Sequence, residues 1–310
     1  MTPEQLEAHR RELHVHCYRM LGSYDEAEDL VQETFLRAWR NRGTPPENLR
    51  AWLYKIATNA CLDFLKATPR TPVPREAPIV ADSWLEWPTT TSVPWLQPYP
   101  DTLLDAVIER ETIELAFLAA VQHLPARQRA VLILRDVLGW SAQETAEALE
   151  MTVAAIKSAL QRARPVMREQ LPAQRMNTAS AEEMAVVQRY IMALEQADPS
   201  LLPSLLRADV YQTMPPSPMW ILGREAFVGA WGPQLVGPDS WGDWKVLPTR
   251  VNRQPAIAAY LRAPADDTYR AYWLGVFRME DGLICQISTF GHALFPELGL
   301  PDSFSAAPSS

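Results

Sequence analysis

Apolar residues recur with a helical period along most of the first 170 residues of the chain. Side chains three and four positions apart share one helix face, so three such stripes predict three helices. The stripes are Ala27, Leu30, Val31, Thr34, Phe35 and Ala38; Leu49, Trp52, Leu53, Ile56 and Ala60; and Ile156, Leu160, Ala163 and Met167. This part of the chain is predicted to be all-α.

Signals for helix ends divide residues 124–168 into helices joined by a tight turn. Ser141 and Glu144 have the spacing of a capping box, which predicts a helix that begins there and ends near Leu149. Glu150 follows at a turn position where glycine is better suited, because a non-glycine residue pays for a left-handed backbone. The pattern predicts a helix-turn-helix.

The second helix of this motif leaves a polar surface with a net charge of about +4, which suits DNA. We expect Gln161 and Arg162 to pair with base edges, and the lysine and the remaining arginines to contact phosphates. The alternative is a solvated basic helix in an ordinary bundle. The predicted DNA-binding residues are Lys157, Ser158, Gln161, Arg162, Arg164 and Arg168.

Two polar faces accompany the apolar stripes of the first 67 residues. One is acidic and suits a protein partner, although carboxylates early in a helix also complement its dipole in a plain solvated face. Its members are Asp25, Glu28, Asp29, Gln32 and Glu33. The other is a ridge that suits a nucleic-acid backbone and unstacked bases, or simply solvent. Its members are Trp52, Lys55, Asn59, Asp63 and Lys66.

Beyond residue 181 the pattern changes to an α+β order. A helix over residues 181–197 precedes runs with the composition of strands, and Asp281-Gly282 is a strong hairpin turn. The predicted strands are Trp244–Val251, Ala256–Arg262, Tyr269–Met279 and Leu283–Phe290.

Prolines mark the main boundary of the chain. Residues 68–101 contain eight of them, and because proline lacks an N–H this segment is predicted to be a linker. The predicted domains are 1–67, 102–170 and 182–298, followed by a flexible tail at 299–310.

The overall composition excludes several classes of protein. The formal charge is −8, so DNA binding has to come from local patches. Cys17, Cys61 and Cys285 lack the spacing of a metal or disulfide framework, and we predict buried thiols with no metal and no cofactor. No signal peptide or membrane-spanning run is recognisable, which favours the cytoplasm.

The helical motifs together resemble the sigma-70 family, in its short extracytoplasmic-function form. Residues 25–35 and 51–59 look like region 2, and residues 124–168 look like region 4. The resemblance implies that the acidic face binds core RNA polymerase, that the ridge engages the opened −10 element, and that the basic helix reads the −35 element of promoter DNA.

The last third resembles the SnoaL-like members of the ketosteroid-isomerase-like superfamily, in which a curved sheet forms a cone. The resemblance rests on the order of elements, the Met-Pro-Pro loop and Gly-Arg-Glu-Ala-Phe at 223–227. It implies a pocket for a small-molecule ligand, against the alternative that the tryptophans are core. The candidate pocket residues are Met214, Trp220, Trp231, Trp244, Tyr260, Trp273 and His292.

Three hypotheses follow for the function. The first is a sigma factor whose activity is modulated by a fused C-terminal domain. The second is a one-component helix-turn-helix regulator with a sensing domain. The third is a SnoaL-like isomerase or cyclase, for which Asp209, Glu225 and His292 are candidate acid–base groups. No carboxylate is paired with an oxyanion donor, so we expect no catalysis, and only the first hypothesis uses both polar faces.

Overall fold

The computed structural model describes residues 2–41, 43, 46–69, 96–104, 113–171, 181–215 and 217–305. The chain divides into two compact units. The first comprises Met1–Pro74, Trp95–Gln97 and Leu103–Ala173, and the second comprises Arg75–Pro94, Pro98–Thr102 and Gln174–Ser310. Both predicted sigma regions therefore lie in the first unit.

The described part of the first unit is helical. Its helices are α1 (Pro3–Glu7), α2 (Arg10–Leu21), α3 (Tyr24–Arg40), α4 (Leu49–Ala67), α5 (Leu115–Val121), α6 (Ala126–Leu132), α7 (Ala142–Leu149) and α8 (Val153–Gln170). A π-helical turn at Ile133–Val137 follows α6, and within it Leu138 N donates to Ile133 O at 2.9 Å.

Helices α2, α3 and α4 pack against one another around the apolar stripes that the sequence predicts. Ala27, Val31 and Leu53 are fully buried, and burial of each large apolar side chain contributes about 1.5–3 kcal/mol. Gly22 ends α2 in the left-handed conformation at φ 74°, which glycine adopts without a Cβ clash. Ser23 then caps α3 by accepting from Glu26 N.

The predicted helix-turn-helix is confirmed in its local details. Ser141 and Glu144 form the capping box of α7. Glu150 adopts φ 54°, so the strained turn lies where the sequence predicts it. Thr152 caps α8 by accepting from Ala155 N at 3.1 Å.

The described part of the second unit is an α+β domain, as predicted. Its elements are helix α9 (Ala181–Glu195), a 3₁₀ turn (Pro199–Ser204), β1 (Leu206–Met214), β2 (Ser217–Leu222), α10 (Arg224–Leu235), β3 (Asp243–Val251), β4 (Gln254–Arg262), β5 (Thr268–Glu280), β6 (Leu283–Gly291), a 3₁₀ turn (His292–Leu294) and β7 (Ser303–Ser305).

The strands form one mixed sheet in the order β2-β1-β6-β5-β4-β3, with β7 paired to β5. Among the described strands only β1 and β6 run parallel, and the other pairs are antiparallel. Asp281 and Gly282 both have positive φ, at 53° and 75°, which confirms the predicted hairpin turn. One apolar core joins α9, α10 and the inner sheet face.

Two segments differ from the sequence prediction. Residues 217–222 are not among the predicted strands but form β2, whose Trp220 ring stacks on Tyr211 of β1 at 5.9 Å. The predicted flexible tail, 299–310, contributes β7, where Phe304 packs against Tyr260 at 4.8 Å and against a second aromatic ring. In both cases an aromatic side chain supplies burial that local propensity does not reveal.

Candidate nucleic-acid and polymerase interfaces

Helix α8 has one buried and one polar face, as the sequence predicts. Its apolar stripe, Ile156, Leu160, Ala163 and Met167, is buried. The opposite side chains are exposed and make no side-chain hydrogen bond or ion pair within the described residues. They are Lys157, Gln161 and Arg168. The helix therefore presents both positive charge and an amide to solvent.

Two further residues of the predicted surface bond each other. Arg162 Nη1 donates to Ser158 Oγ at 2.6 Å, one helical turn away. The hydroxyl limits the rotamers of an exposed guanidinium, which lowers the entropic cost of any contact that this guanidinium makes with a partner.

Arg164 is held by an acidic partner. Its Nε and Nη2 donate to Asp136 Oδ2 and Oδ1 at 3.0 and 2.9 Å, and this carboxylate raises the pKa of Arg164. Asp136 projects from the π-helical turn before α7. Pro165 follows inside α8, where it cannot donate the usual helical hydrogen bond. The ion pair thus braces α8 where its hydrogen-bond ladder is interrupted.

The predicted ridge lies on α4 and is less accessible than α8. Trp52, Lys55 and Asn59 are half-buried, whereas Asp63 and Lys66 are exposed. Helix α4 contacts α7 of the helix-turn-helix.

Two charges of the ridge already have partners. Lys55 Nζ lies 3.2 Å from Glu150 Oε1, and Arg37 Nη1 donates to Asp63 Oδ2 at 2.9 Å. A DNA strand on this ridge must compete with the carboxylate of Glu150.

A buried polar layer supports the ridge. His16 Nε2 lies 2.8 Å from Thr58 Oγ1 of α4. Burial lowers the pKa of His16 to about 3, with a smaller contribution from the charge of Arg19, and lowers the pKa of His14 to about 4. Both imidazoles are neutral at pH 7.

The thiols in this layer are buried as predicted. Cys17 and Cys61 are free and buried, and burial raises the pKa of Cys61. Arg129 Nη1 of α6 donates to Met20 O of α2 nearby. The Arg129–Met20 hydrogen bond joins the predicted regions 2 and 4 within the first unit.

The acidic face of α3 is partly engaged inside the unit. Arg10 Nη1 donates to Glu28 Oε1 at 2.8 Å, and Arg37 Nε donates to Glu33 Oε1 at 2.7 Å. Asp25 Oδ2 accepts from Gln97 Nε2 at 2.7 Å, and Asp29 and Gln32 are exposed.

Two apolar side chains of α3 were missed by the sequence reasoning. Leu36 is 51% exposed and Trp39 is 40% exposed. They lie outside the buried stripe, one and two turns beyond Gln32. A leucine and a tryptophan that fall outside the buried stripe and lie beside an acidic face indicate a partner-binding surface, and this pattern is visible in the sequence.

The described end of the linker contributes to both units. Gln97 belongs to the first unit, where its N donates to Gly22 O at 2.8 Å and its carbonyl accepts from Tyr18 Oη at 2.6 Å. The rest of the predicted linker, residues 70–95, lies outside the described residues.

Residues 99–101 belong to the second unit and pair with the β3–β4 turn. Tyr99 N donates to Asn252 Oδ1 at 2.8 Å, and Asn252 N donates to Tyr99 O at 2.9 Å. Asp101 accepts from Arg253 N at 2.7 Å and lies 3.4 Å from Arg250 Nε. Burial raises the pKa of Asp101 while these donors oppose the shift.

The predicted ligand pocket is divided between two faces of the sheet. Four of its members belong to the inner core. They are Met214, Trp231, Trp244 and Trp273. Tyr260 and His292 instead contact Phe295, at 5.4 and 6.3 Å, and Trp220 stacks on Tyr211.

A β-bulge explains part of this rearrangement. The register of β4 and β5 shifts between Ala259 and Tyr260, so Tyr272 and Trp273 lie opposite one position. Bulged residues can lean to the same side, and the rings of Tyr272 and Trp273 both contact Trp244, at 5.7 and 6.2 Å.

The candidate acid–base groups do not form a catalytic arrangement. Asp209, Glu225 and His292 are exposed, and Asp209 is bonded to Arg207. Within the described residues no group of three His, Cys, Asp or Glu could hold a metal ion, and no helix is long and apolar enough to cross a bilayer.

Comparison with known families agrees with the geometry of the first unit. Sigma-70 region 2 matches residues 6–71, and Sigma-70 region 4 matches residues 114–164. The first match runs from the end of α1 through α4, and the second includes the helix-turn-helix up to residue 164 of α8.

Relatives extend the likeness over both units. The chain is 41% identical to the ECF RNA polymerase sigma factor SigG of Mycobacterium tuberculosis, over 96% of this chain and 83% of that protein. It is 28% identical to SigJ of the same organism, over 99% and 95%. The crystal structure of SigJ superposes with a TM-score of 0.64 at 23% identity, covering 97% of this chain and all of that one, so the two share a fold. The chain belongs to the extracytoplasmic-function (ECF) family of RNA polymerase sigma factors.

Proposed function

We propose that this sigma factor binds core RNA polymerase through the acidic face of α3, reads the −35 element with α8, and holds opened −10 DNA on the α4 ridge. We propose further that its C-terminal domain modulates this activity through the linker. Sigma factors are not enzymes, and the dispersed acid–base groups supply no reason to add a catalytic role.

Promoter recognition requires one module for duplex DNA and another for melted DNA. Helix α8 supports the first role because Lys157, Gln161 and Arg168 are exposed without acidic partners within the described residues. Helix α4 supports the second role because Trp52 and Asn59 are half-buried beside cationic side chains, an environment that suits unstacked bases. The cytoplasm, where polymerase and promoters are found, is the proposed location.

The pairing of residues 99–101 with the β3–β4 turn carries the modulation proposal. This segment lies in the chain between regions 2 and 4, yet Tyr99 and Asp101 use Asn252 and Arg253 of the C-terminal domain as partners. Any ligand or partner that changes that turn changes the anchor of the linker, which is a mechanism for coupling the domains.

Run-off transcription with purified core polymerase tests both parts. We expect the full chain to support promoter-specific transcripts, and we expect Asp101→Ala, which removes the acceptor for Arg253 N, to change their amount. Glu297→Ala, an exposed carboxylate outside this anchor, is the control. No transcript from the full chain would refute the sigma assignment of α3, α4 and α8, and unchanged output with Asp101→Ala and with residues 1–180 alone would refute modulation.

A further inference from the structure

The C-terminal unit contains a cavity that none of the sigma functions uses. It lies beside the ends of α9 and α10 and the start of β3, and its volume is about 420 Å³. This volume falls in the range of small-molecule sites. Its apolar wall is formed by Leu194, Leu235, Pro238, Trp244 and Pro264.

The charged lining of the cavity is entirely acidic. Glu195 and Asp243 line it, and no lysine, arginine or histidine is among the lining residues. Two carboxylates on the cavity lining favour a positively charged ligand over a neutral or anionic one.

Each carboxylate keeps one oxygen available. Glu195 Oε1 accepts from Val246 N and from Lys245 Nζ, both at 3.0 Å. Asp243 Oδ2 accepts from Arg262. Glu195 Oε2 and Asp243 Oδ1 have no partner within the described residues. The ion pairs therefore hold the carboxylates in place without saturating them.

Trp244 adds a rigid aromatic wall. It is 4% exposed, and its ring contacts Trp241 at 6.3 Å and Tyr272 at 5.7 Å. An indole face attracts an organic cation through its quadrupole. Trp244 Nε1 has no hydrogen-bond partner within the described residues, so the chemical shift of its N–H reports on changes in the wall itself.

The chemistry favours an organic cation over a metal ion. Only two carboxylates line the cavity, and much of the remaining wall is aliphatic or aromatic. Divalent cations need more oxygen ligands than this wall offers. An ammonium group can instead bond an open carboxylate oxygen while a hydrocarbon body contacts the apolar residues.

We propose that this cavity binds a small protonated amine with an apolar body, and that this class of ligand acts on the C-terminal domain. The proposed action on the C-terminal domain rests on the proposed modulatory function, whereas the proposed amine binding does not.

Matched probes test the charge requirement on the full-length chain. 2-Phenylethylamine carries the proposed cation, 2-phenylethanol is its neutral counterpart, and 3-phenylpropanoate is an anionic one. The readout is the indole N–H NMR signal of Trp244, identified by its loss in Trp244→Phe. We expect the amine alone to shift this signal saturably, with a dissociation constant of about 1 mM or tighter. No saturable shift, or an equal shift with the alcohol, would overturn the site.

Isosteric variants separate the roles of the two carboxylates from general disruption. We expect Glu195→Gln and Asp243→Asn each to weaken amine binding about tenfold. Asp281→Asn removes one charge from the same domain outside the cavity and should leave binding unchanged, and melting curves verify that all three variants fold. Unchanged affinity in the Glu195→Gln, Asp243→Asn double variant would contradict the proposal.

A transcription arm distinguishes this proposal from the modulatory function. Amine binding is measured without polymerase. If no binding is found, the proposed site is refuted, while the result of the Asp101→Ala experiment is unaffected. Saturable binding with no change in run-off output at the same concentration removes the regulatory clause and leaves the site.

Discussion

Helices α8 and α4 carry the two predicted DNA-binding surfaces, and the two surfaces differ in how many of their charged side chains are already paired within the chain. On α8, Lys157 and Arg168 are exposed and unpaired within the described residues. On α4, Lys55 is paired with Glu150 and Asp63 with Arg37. The proposed duplex-reading surface is therefore available, whereas the proposed strand-holding surface is partly occupied by side chains of the same protein.

This difference matches the order of events at a promoter. Duplex DNA is met first and can be read by groups that already face solvent. Single strands appear only after melting, when extrusion of bases costs a few kcal/mol. On the proposed strand-holding surface, DNA phosphates or core polymerase would have to displace the Lys55–Glu150 ion pair, which adds a small barrier.

The largest expected effect is that low pH destabilises α4, which the buried histidines support, before it destabilises α8. The folded-state pKa values of His14 and His16 are about 4 and about 3, below the unfolded value of 6.5. Between these folded values and pH 6.5, the unfolded chain binds more protons than the folded chain. The stability that the neutral histidines contribute is therefore fully present above pH 6.5 and is lost as the pH falls towards the folded values. At pH 5.5 each histidine lowers the free energy of unfolding by about 1.4 kcal/mol.

Hydrogen exchange at pH 7.5 and 5.5, corrected for intrinsic rates, measures this difference. We expect protection to fall in α2 and α4 before it falls in α7 and α8. His16→Gln should remove about half of the pH-dependent loss. Equal loss of protection in α8 would show that the histidine layer does not act selectively on the ridge.

The next effect concerns base reading on α8. Arg162→Ala should cost about 1–3 kcal/mol of binding to a cognate −35 duplex and should relax selectivity at one base pair. Competition with a set of single-base promoter variants measures it. A uniform loss over all variants would mean that Arg162 contacts only phosphates.

A smaller effect distinguishes two arginines on the same helix. Arg168 is open to solvent, so Arg168→Ala should reduce the slope of log binding constant against log salt concentration by about one. Arg164 is engaged with Asp136, so Arg164→Gln should leave the salt slope unchanged while it lowers the stability of the helix-turn-helix. A shallower slope for Arg164→Gln would show that DNA displaces Asp136.

The smallest effect tests the occupied ridge. Glu150→Gln keeps the size of the side chain and removes its charge, so Lys55 is released. We expect the free chain to bind a −10 single strand about twofold to fivefold more tightly. Glu147→Gln on α7, whose partner is Gln143, is the matched control. If the two variants behave alike, the contact between Lys55 and Glu150 has no influence on DNA binding.

Local features of these helices could be predicted from the sequence, whereas their partners could not. The stripe of α8, the capping box at Ser141 and the left-handed Glu150 are set by neighbours within a few residues. The pair Lys55–Glu150 spans 95 positions and depends on how α4 packs on α7. Periodicity shows which face is polar, but it contains no information about which opposite charge folds back onto it.

The candidate pocket shows a second limit of sequence reasoning. Aromatic residues suggested one cavity, but alternation along strands sends Tyr260 to one face of the sheet and Trp273 to the other. The bulge beside Tyr272 then alters that alternation locally. The acidic cavity near Glu195 depends on helix ends and a loop, for which the sequence offered no periodic signal.

The three thiols have a practical consequence for studying this molecule. Cys17, Cys61 and Cys285 are all buried, and burial raises the pKa of Cys61 and raises that of Cys285 to about 11. Thiolate is the reactive form, so maleimide dyes at neutral pH should spare all three. A fluorophore pair on cysteines introduced into α4 and α8 could then report how far these helices separate when polymerase is added, with the native thiols left in place.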